Sequence, residues 1–228
     1  MNDTEMVQIQ LELQSKISLK DKIDINNIKS ITGVDVAYFM IDDKEYAVCY
    51  AVTLDRNTHE MLEYTQEYGV IEIPYTSGLL AFREKDLILG AWKKLKKKGD
   101  VIVFDGNGIL HERKMGIATH VGILLDMPTI GVAKTFYDIH GIDYPIVGNR
   151  KFDTTDIEYK GFVYGKALRT RPDCKPVFIS SGTNISLDTA VCLLKEFVTD
   201  DSRIPLPTQL ADIGTHAARR TLLNERRI

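Results

Sequence analysis

Three acids stand where a carboxylate is costly: Asp35 lies inside ITGVDVAYFM, Asp105 ends the apolar run VIVF, and Glu84 follows Leu80 by four residues in LLAFREKD. A mid-strand Asp is disfavoured, and burying an unpaired carboxylate is expensive, so each acid calls for a partner. Taken singly, each also has a structural explanation. Strand alternation puts Gly33, Asp35 and Ala37 on one face, where solvent would satisfy the acid. Asp105-Gly106 is a common turn pair. Glu84 with Arg83 and Lys85 makes a helix-surface ion network. Taken together the acids suit Mg²⁺, which accepts one or two carboxylates and fills its remaining positions with water and phosphate oxygens. Small neighbours on the Asp35 face leave room for a bulky ligand, and ligands of α/β sheets gather at the carboxyl ends of strands, where Asp105 sits. A calcium loop fits Asp105 and Asn107 but fails at Ile109, Leu110 and Gly116.

The whole chain sets the context. Its 228 residues suffice for one large domain, with 44% hydrophobic and 27% charged residues, as in ordinary globular proteins. Cys49, Cys174 and Cys192 are few, odd in number and without CxxC spacing, which argues against a disulfide framework or zinc site and for a reducing compartment. The N-terminus lacks a signal pattern and no apolar run approaches membrane-spanning length, so a cytoplasmic protein without membrane contact is expected. A net charge of −3 weighs mildly against a protein that coats nucleic acid. The basic KKLKKK at 93–98 reads as a solvated helix end and the C-terminal RR…ERRI as a frayed tail.

Hydrophobic periodicity supplies the elements that must hold the acids. Met6, Ile9, Leu13 and Ile17 predict a helix over 4–18. The stretches 31–40, 46–54 and 68–74 predict three strands of an antiparallel meander. A helix over 77–98 carries Leu80, Leu87, Ala91 and Leu95 on one stripe. VIVF at 101–104 reads as a central strand covered on both faces, followed by a helix over 114–126 and a strand over 129–134. Two strands at 160–170 and 175–182 and two helices at 186–198 and 206–220 complete a mixed-sheet α/β domain spanning 1–228, with Ser186 as an N-cap.

At this point GVDVAY (33–38), PYTSGLLAFRE (74–84), DGNGILHERKMGIATHVG (105–122), IGVAKT (130–135), GKALRTR (165–171) and RIPLPTQLAD (203–212) together resemble the endonuclease V family, repair nucleases for deaminated purines. The resemblance covers most of the chain and implies a ribonuclease-H-like mixed sheet flanked by helices. It implies a Mg²⁺-dependent enzyme, with Mn²⁺ as a substitute, that hydrolyses the second phosphodiester bond 3′ to deoxyinosine in DNA. Its alternative is an inosine-specific endoribonuclease acting on single-stranded RNA. A monomer is expected. By the same resemblance Asp35, Glu84 and Asp105 are metal carboxylates, Lys134 stands near the scissile phosphate, and Asp212 is a further acid with His216 one helical turn on. Tyr75 is a wedge entering the duplex, Gly78, Leu80, Gly106 and Gly108 shape a pocket for the extruded base, and His111 contacts DNA near it.

The chain also departs from the family pattern. Pro74-Tyr75-Thr76-Ser77 replaces Pro-Tyr-Ile-Pro, which predicts a less rigid wedge loop. Asn107 stands where many members have His or Gln, Glu112 replaces a proline and adds negative charge near a phosphate-binding surface, and Ser181-Gly182-Thr183 replaces Pro-Gly-His.

Overall fold

A computed structural model describes residues 1–139 and 141–225. Arg226, Arg227 and Ile228 of the basic C-terminal run lie outside the described residues. The elements are α1 (Asp3–Leu13), β1 (Ser30–Ile41), β2 (Lys44–Asp55), β3 (Met61–Val70), α2 (Leu80–Lys94), β4 (Val101–Asp105), α3 (Ile117–Leu125), β5 (Thr129–Ala133), β6 (Thr154–Tyr159), β7 (Phe162–Leu168), β8 (Val177–Ser181), α4 (Leu187–Glu196) and α5 (Leu206–Glu225). The strands form one eight-stranded sheet in the order β3-β2-β1-β4-β5-β8-β7-β6. β1, β4 and β5 run parallel at its centre and every other pairing is antiparallel.

Both faces of the centre are covered, as VIVF predicts. Val101 and Val103 pack with Ala190, Leu194 and Ala211 from α4 and α5. Ile102 and Phe104 pack with Ile88, Ile117 and Val121 from α2 and α3. The same alternation turns Asp35 toward α5 and Val34 toward α2. Among the described residues no helix is long and apolar enough to cross a membrane.

The structure corrects the reading at the sheet edges. The third strand is Met61–Val70 rather than 68–74, and β6, not foreseen, is the opposite edge. Both edges carry polar residues on an uncovered face, and only Ile157 of β6 is buried, so neither shows a strong apolar period. In α2, Leu80 and Leu87 are half-buried, and the covered face runs through Ala81, Glu84, Ile88 and Ala91. That rotation takes Glu84 off the surface, against a surface ion network. The room expected beside Asp35 is filled by α5. A Cβ on Gly33 would lie 2.0 Å from the Pro207 carbonyl oxygen.

Candidate active site

Parallel pairing aligns Val34 with Phe104, so the next residue on each strand is an acid, and Asp35 and Asp105 come side by side. The first turns of α5 cross above them and add Asp212. One carboxylate oxygen from each of these three residues lies within 4.8 Å of the others. Lys134, just past β5, puts its Nζ 2.6 Å from Asp105 Oδ2 and 2.7 Å from Asp212 Oδ1. Thr215 Oγ1 donates to Asp35 Oδ2 at 2.9 Å. His216 Nε2 stands 3.9 Å from Asp212 Oδ2, and Arg219 Nη2 is 3.0 Å from His216 Nδ1. Glu84 approaches from the other face of the sheet, outside this tight trio, with Tyr38 Oη donating to its Oε1 at 2.6 Å.

Burial, reinforced by the Asp105 charge, pushes the Asp35 carboxyl up to about 7 against the Thr215 hydrogen bond and Lys134. Burial also raises Asp105, against the pull of Lys134. Glu84 is 6% exposed, and burial lifts it to about 8 despite the Tyr38 hydrogen bond. A cluster of carboxylate oxygens, with one ammonium already bridging two of them, fits a hard divalent cation.

These shifts have a measurable consequence. The folded, metal-free protein retains protons on Asp35 and Glu84 that the unfolded chain has released, so their stabilising contribution is complete in acid and is lost as pH rises through about 7 and about 8. His111 and His120, both lowered to about 4 mainly by burial, act oppositely, but their contribution is complete above the ordinary histidine value of about 6.5. Thermal melts in EDTA should therefore show stability falling from about pH 6.5 to about pH 8.5. A flat or rising profile would refute the protonated carboxylates, and Mg²⁺ should raise the melting temperature more at the alkaline end.

A pocket of about 170 Å³ opens beside the trio, lined among others by Tyr75, Gly78, Leu80, Gly106, Asn107 and His111. Tyr75, 69% exposed, forms its rim. Gly106 links the two features, directly following Asp105, and its φ of +154° leaves backbone facing the cavity. Gly78, with φ of +79°, turns a carbonyl that accepts from Gln10 Nε2 at 2.9 Å and from Arg113 Nη2 at 3.1 Å. His111 is buried and accepts from the Arg113 amide through Nδ1, so its Nε2 carries the proton toward the Gly78 carbonyl 3.1 Å away. It is thus a buried wall of the pocket that holds the Gly78 turn. Gly108 lies behind the pocket. Its amide donates to Ser180 Oγ at 2.8 Å and a Cβ there would meet the Ser181 carbonyl at 2.1 Å.

Sequence reasoning missed Tyr137. It lines the pocket, stacks on His111 with ring centres 5.4 Å apart, and hydrogen-bonds the Ser77 side chain. That bond, with Thr76 Oγ1 on Asp3 at 3.3 Å and Arg83 Nη1 on the Ile73 carbonyl at 2.5 Å, ties down the loop that lacks its second proline. No local pattern marks Tyr137, because its partners lie far away in the chain. The added charge of Glu112 is paired in place, 3.1 Å from Arg113 Nη1.

The sequence pattern that defines the family described as Endonuclease V matches residues 11–213. An Endonuclease V of Bacillus thuringiensis subsp. konkukian is 45% identical over 219 residues, covering 96% of this chain and 93% of that protein. The crystal structure of the Bacillus subtilis Endonuclease V superposes with a TM-score of 0.95 at 41% identity, covering 99% of this chain and 95% of the other. That of Ciona intestinalis Endonuclease V, in complex with a 24mer DNA containing an inosine followed by a ribo-adenosine, gives 0.85 at 30% identity, covering 96% and 98%. The mixed sheet with helices on both faces is therefore the ribonuclease-H-like fold of these structures.

Proposed function

The chain belongs to the endonuclease V family, and from that premise we propose that it hydrolyses the second phosphodiester bond 3′ to deoxyinosine in DNA, using Mg²⁺, with Mn²⁺ as a substitute. The observation that carries this reading is the junction at Asp105-Gly106, where a cluster of three carboxylates and Lys134 adjoins a pocket rimmed by an exposed tyrosine. It acts as a monomer in the cytoplasm.

Asp35, Asp105 and Asp212 would hold the cation, with Glu84 at its edge. The chemistry such a cation would supply there is activation of a water and neutralisation of charge on the phosphate. The chain's own groups do the rest. Thr215 fixes the Asp35 carboxylate, and Lys134 offers an ammonium to a non-bridging phosphate oxygen as charge builds there. Flipping a base out of a duplex costs a few kcal/mol, least for a mispaired one. The pocket, with backbone at Gly78 and Gly106, receives the base while Tyr75 fills the gap in the stack.

The test is direct. Single-inosine DNA and RNA strands, with matched controls, are incubated with Mg²⁺, Mn²⁺ or EDTA, and the products are sized to the nucleotide. The expected result is one cut in DNA at the second bond 3′ to inosine, abolished by EDTA. A protein that leaves inosine strands whole in Mg²⁺ sinks the reading, and efficient cutting of RNA alone replaces DNA by RNA as the substrate. Tyr75→Ala should weaken binding to inosine DNA by about 1–3 kcal/mol, the value of one base–aromatic stack, with a smaller effect on the single-turnover rate. Equal binding by mutant and wild type would remove the wedge role.

A further inference from the structure

Glu84 owes its position to a residue that none of the chemistry above employs. Strand alternation sends Asp35 toward α5 and Tyr38, three residues on, toward α2. There the Tyr38 hydroxyl donates to Glu84 Oε1 at 2.6 Å, a short O–H···O hydrogen bond. The tyrosine ring is fixed from its other side. The Arg83 guanidinium carbon stands 4.8 Å from the ring centre. Arg83 is itself held by the Ile73 carbonyl and by Glu45, 2.9 Å away. Among the described residues, no hydrogen bond or ion pair engages Glu84 Oε2, and the charges of Asp35 and Asp105 act on this carboxylate.

We propose that Tyr38 is a positioning residue for Glu84, holding one carboxylate oxygen so that the other is presented to the divalent cation beside Asp35 and Asp105. The inference rests on the reading that this site works with such a cation. A carboxylate pinned through one oxygen loses its freedom to rotate before the cation arrives, so less order has to be created on binding. Outer partners of this kind typically contribute about 10–100-fold to metal affinity.

Tyr38→Phe deletes the hydroxyl and keeps the ring against Arg83. Mg²⁺ alone is titrated into the metal-free full-length protein, followed by the shift in melting temperature and by calorimetry. The Mg²⁺ midpoint of Tyr38→Phe should rise about 10–100-fold over wild type. Binding of inosine DNA in EDTA should be unchanged, and cleavage should recover when Mg²⁺ is raised. In a Glu84→Gln background, Tyr38→Phe should add nothing further to the midpoint. An unchanged midpoint in the single variant, or an equal effect of Tyr38→Phe with and without the Glu84 carboxylate, overturns the assignment. A wild type that shows no response to Mg²⁺ removes the cation reading itself, and the positioning role with it.

Discussion

Asp105→Asn should leave a folded protein whose cleavage of inosine DNA is slower by about a thousandfold or more. Asp105 touches every part of the candidate chemistry. Its carboxylate lies in the trio with Asp35 and Asp212, its Oδ2 is 2.6 Å from Lys134, and its main chain leads into the pocket at Gly106. The amide keeps the shape and removes the charge that a cation and Lys134 both need. Folding should survive, because Lys134 retains Asp212 at 2.7 Å and the lost charge is one that burial disfavours. Urea unfolding should thus change far less than activity does, while the rise in melting temperature on adding Mg²⁺ disappears. A variant that cuts within an order of magnitude of wild type would take Asp105 out of the reaction.

Gly33→Ala should be the most damaging methyl group in the chain. The added Cβ would sit 2.0 Å from the Pro207 carbonyl oxygen and 2.3 Å from its carbon, backbone atoms that no rotamer change can move. The start of α5 must lift from β1, at a cost of about 3 kcal/mol, the upper end of ordinary overpacking. Asp212 and Thr215 ride on the same helix, so activity should fall further than stability. A misplacement of about 1 Å is worth roughly a hundredfold in rate. Denaturant unfolding measures the first effect, and cleavage at a temperature where both proteins are folded measures the second. Gly214→Ala, on the next stretch of α5, supplies the contrast. Its Cβ would meet the ring of Tyr50, a half-buried side chain, rather than backbone. Loss of stability in Gly214→Ala equal to that in Gly33→Ala would argue against a rigid α5–β1 contact as the cause.

Local chemistry made much of this legible in advance. VIVF showed a two-sided apolar run and became the central strand β4, and Ser186 capped α4 as its side chain predicts. The acid at the end of that strand was conspicuous because apolar neighbours make a charge costly. The edge strands were harder, since a strand wet on one side and unpaired on the other needs no strong apolar pattern. Glu84, four residues after Leu80, was legible as an acid on or beside the core-facing stripe of α2, and its burial excludes only the surface ion network that was its structural alternative.

By itself, then, the sequence determined which residues are costly to bury, where the central strands and capped helices fall, and, through motifs kept in order over most of the chain, which family they compose. Only the tertiary structure decided who meets whom. Parallel register of β1 and β4 brings Asp35 to Asp105, and α5 closes over Gly33 to deliver Asp212 from the far end of the chain. Tyr38 reaches Glu84 through the other face of the sheet, and Tyr137 fastens Ser77 across the pocket. Such pairs are separated by tens to more than a hundred residues, and periodicity reports only a residue's own face. Their distances exist only once helix and sheet have packed.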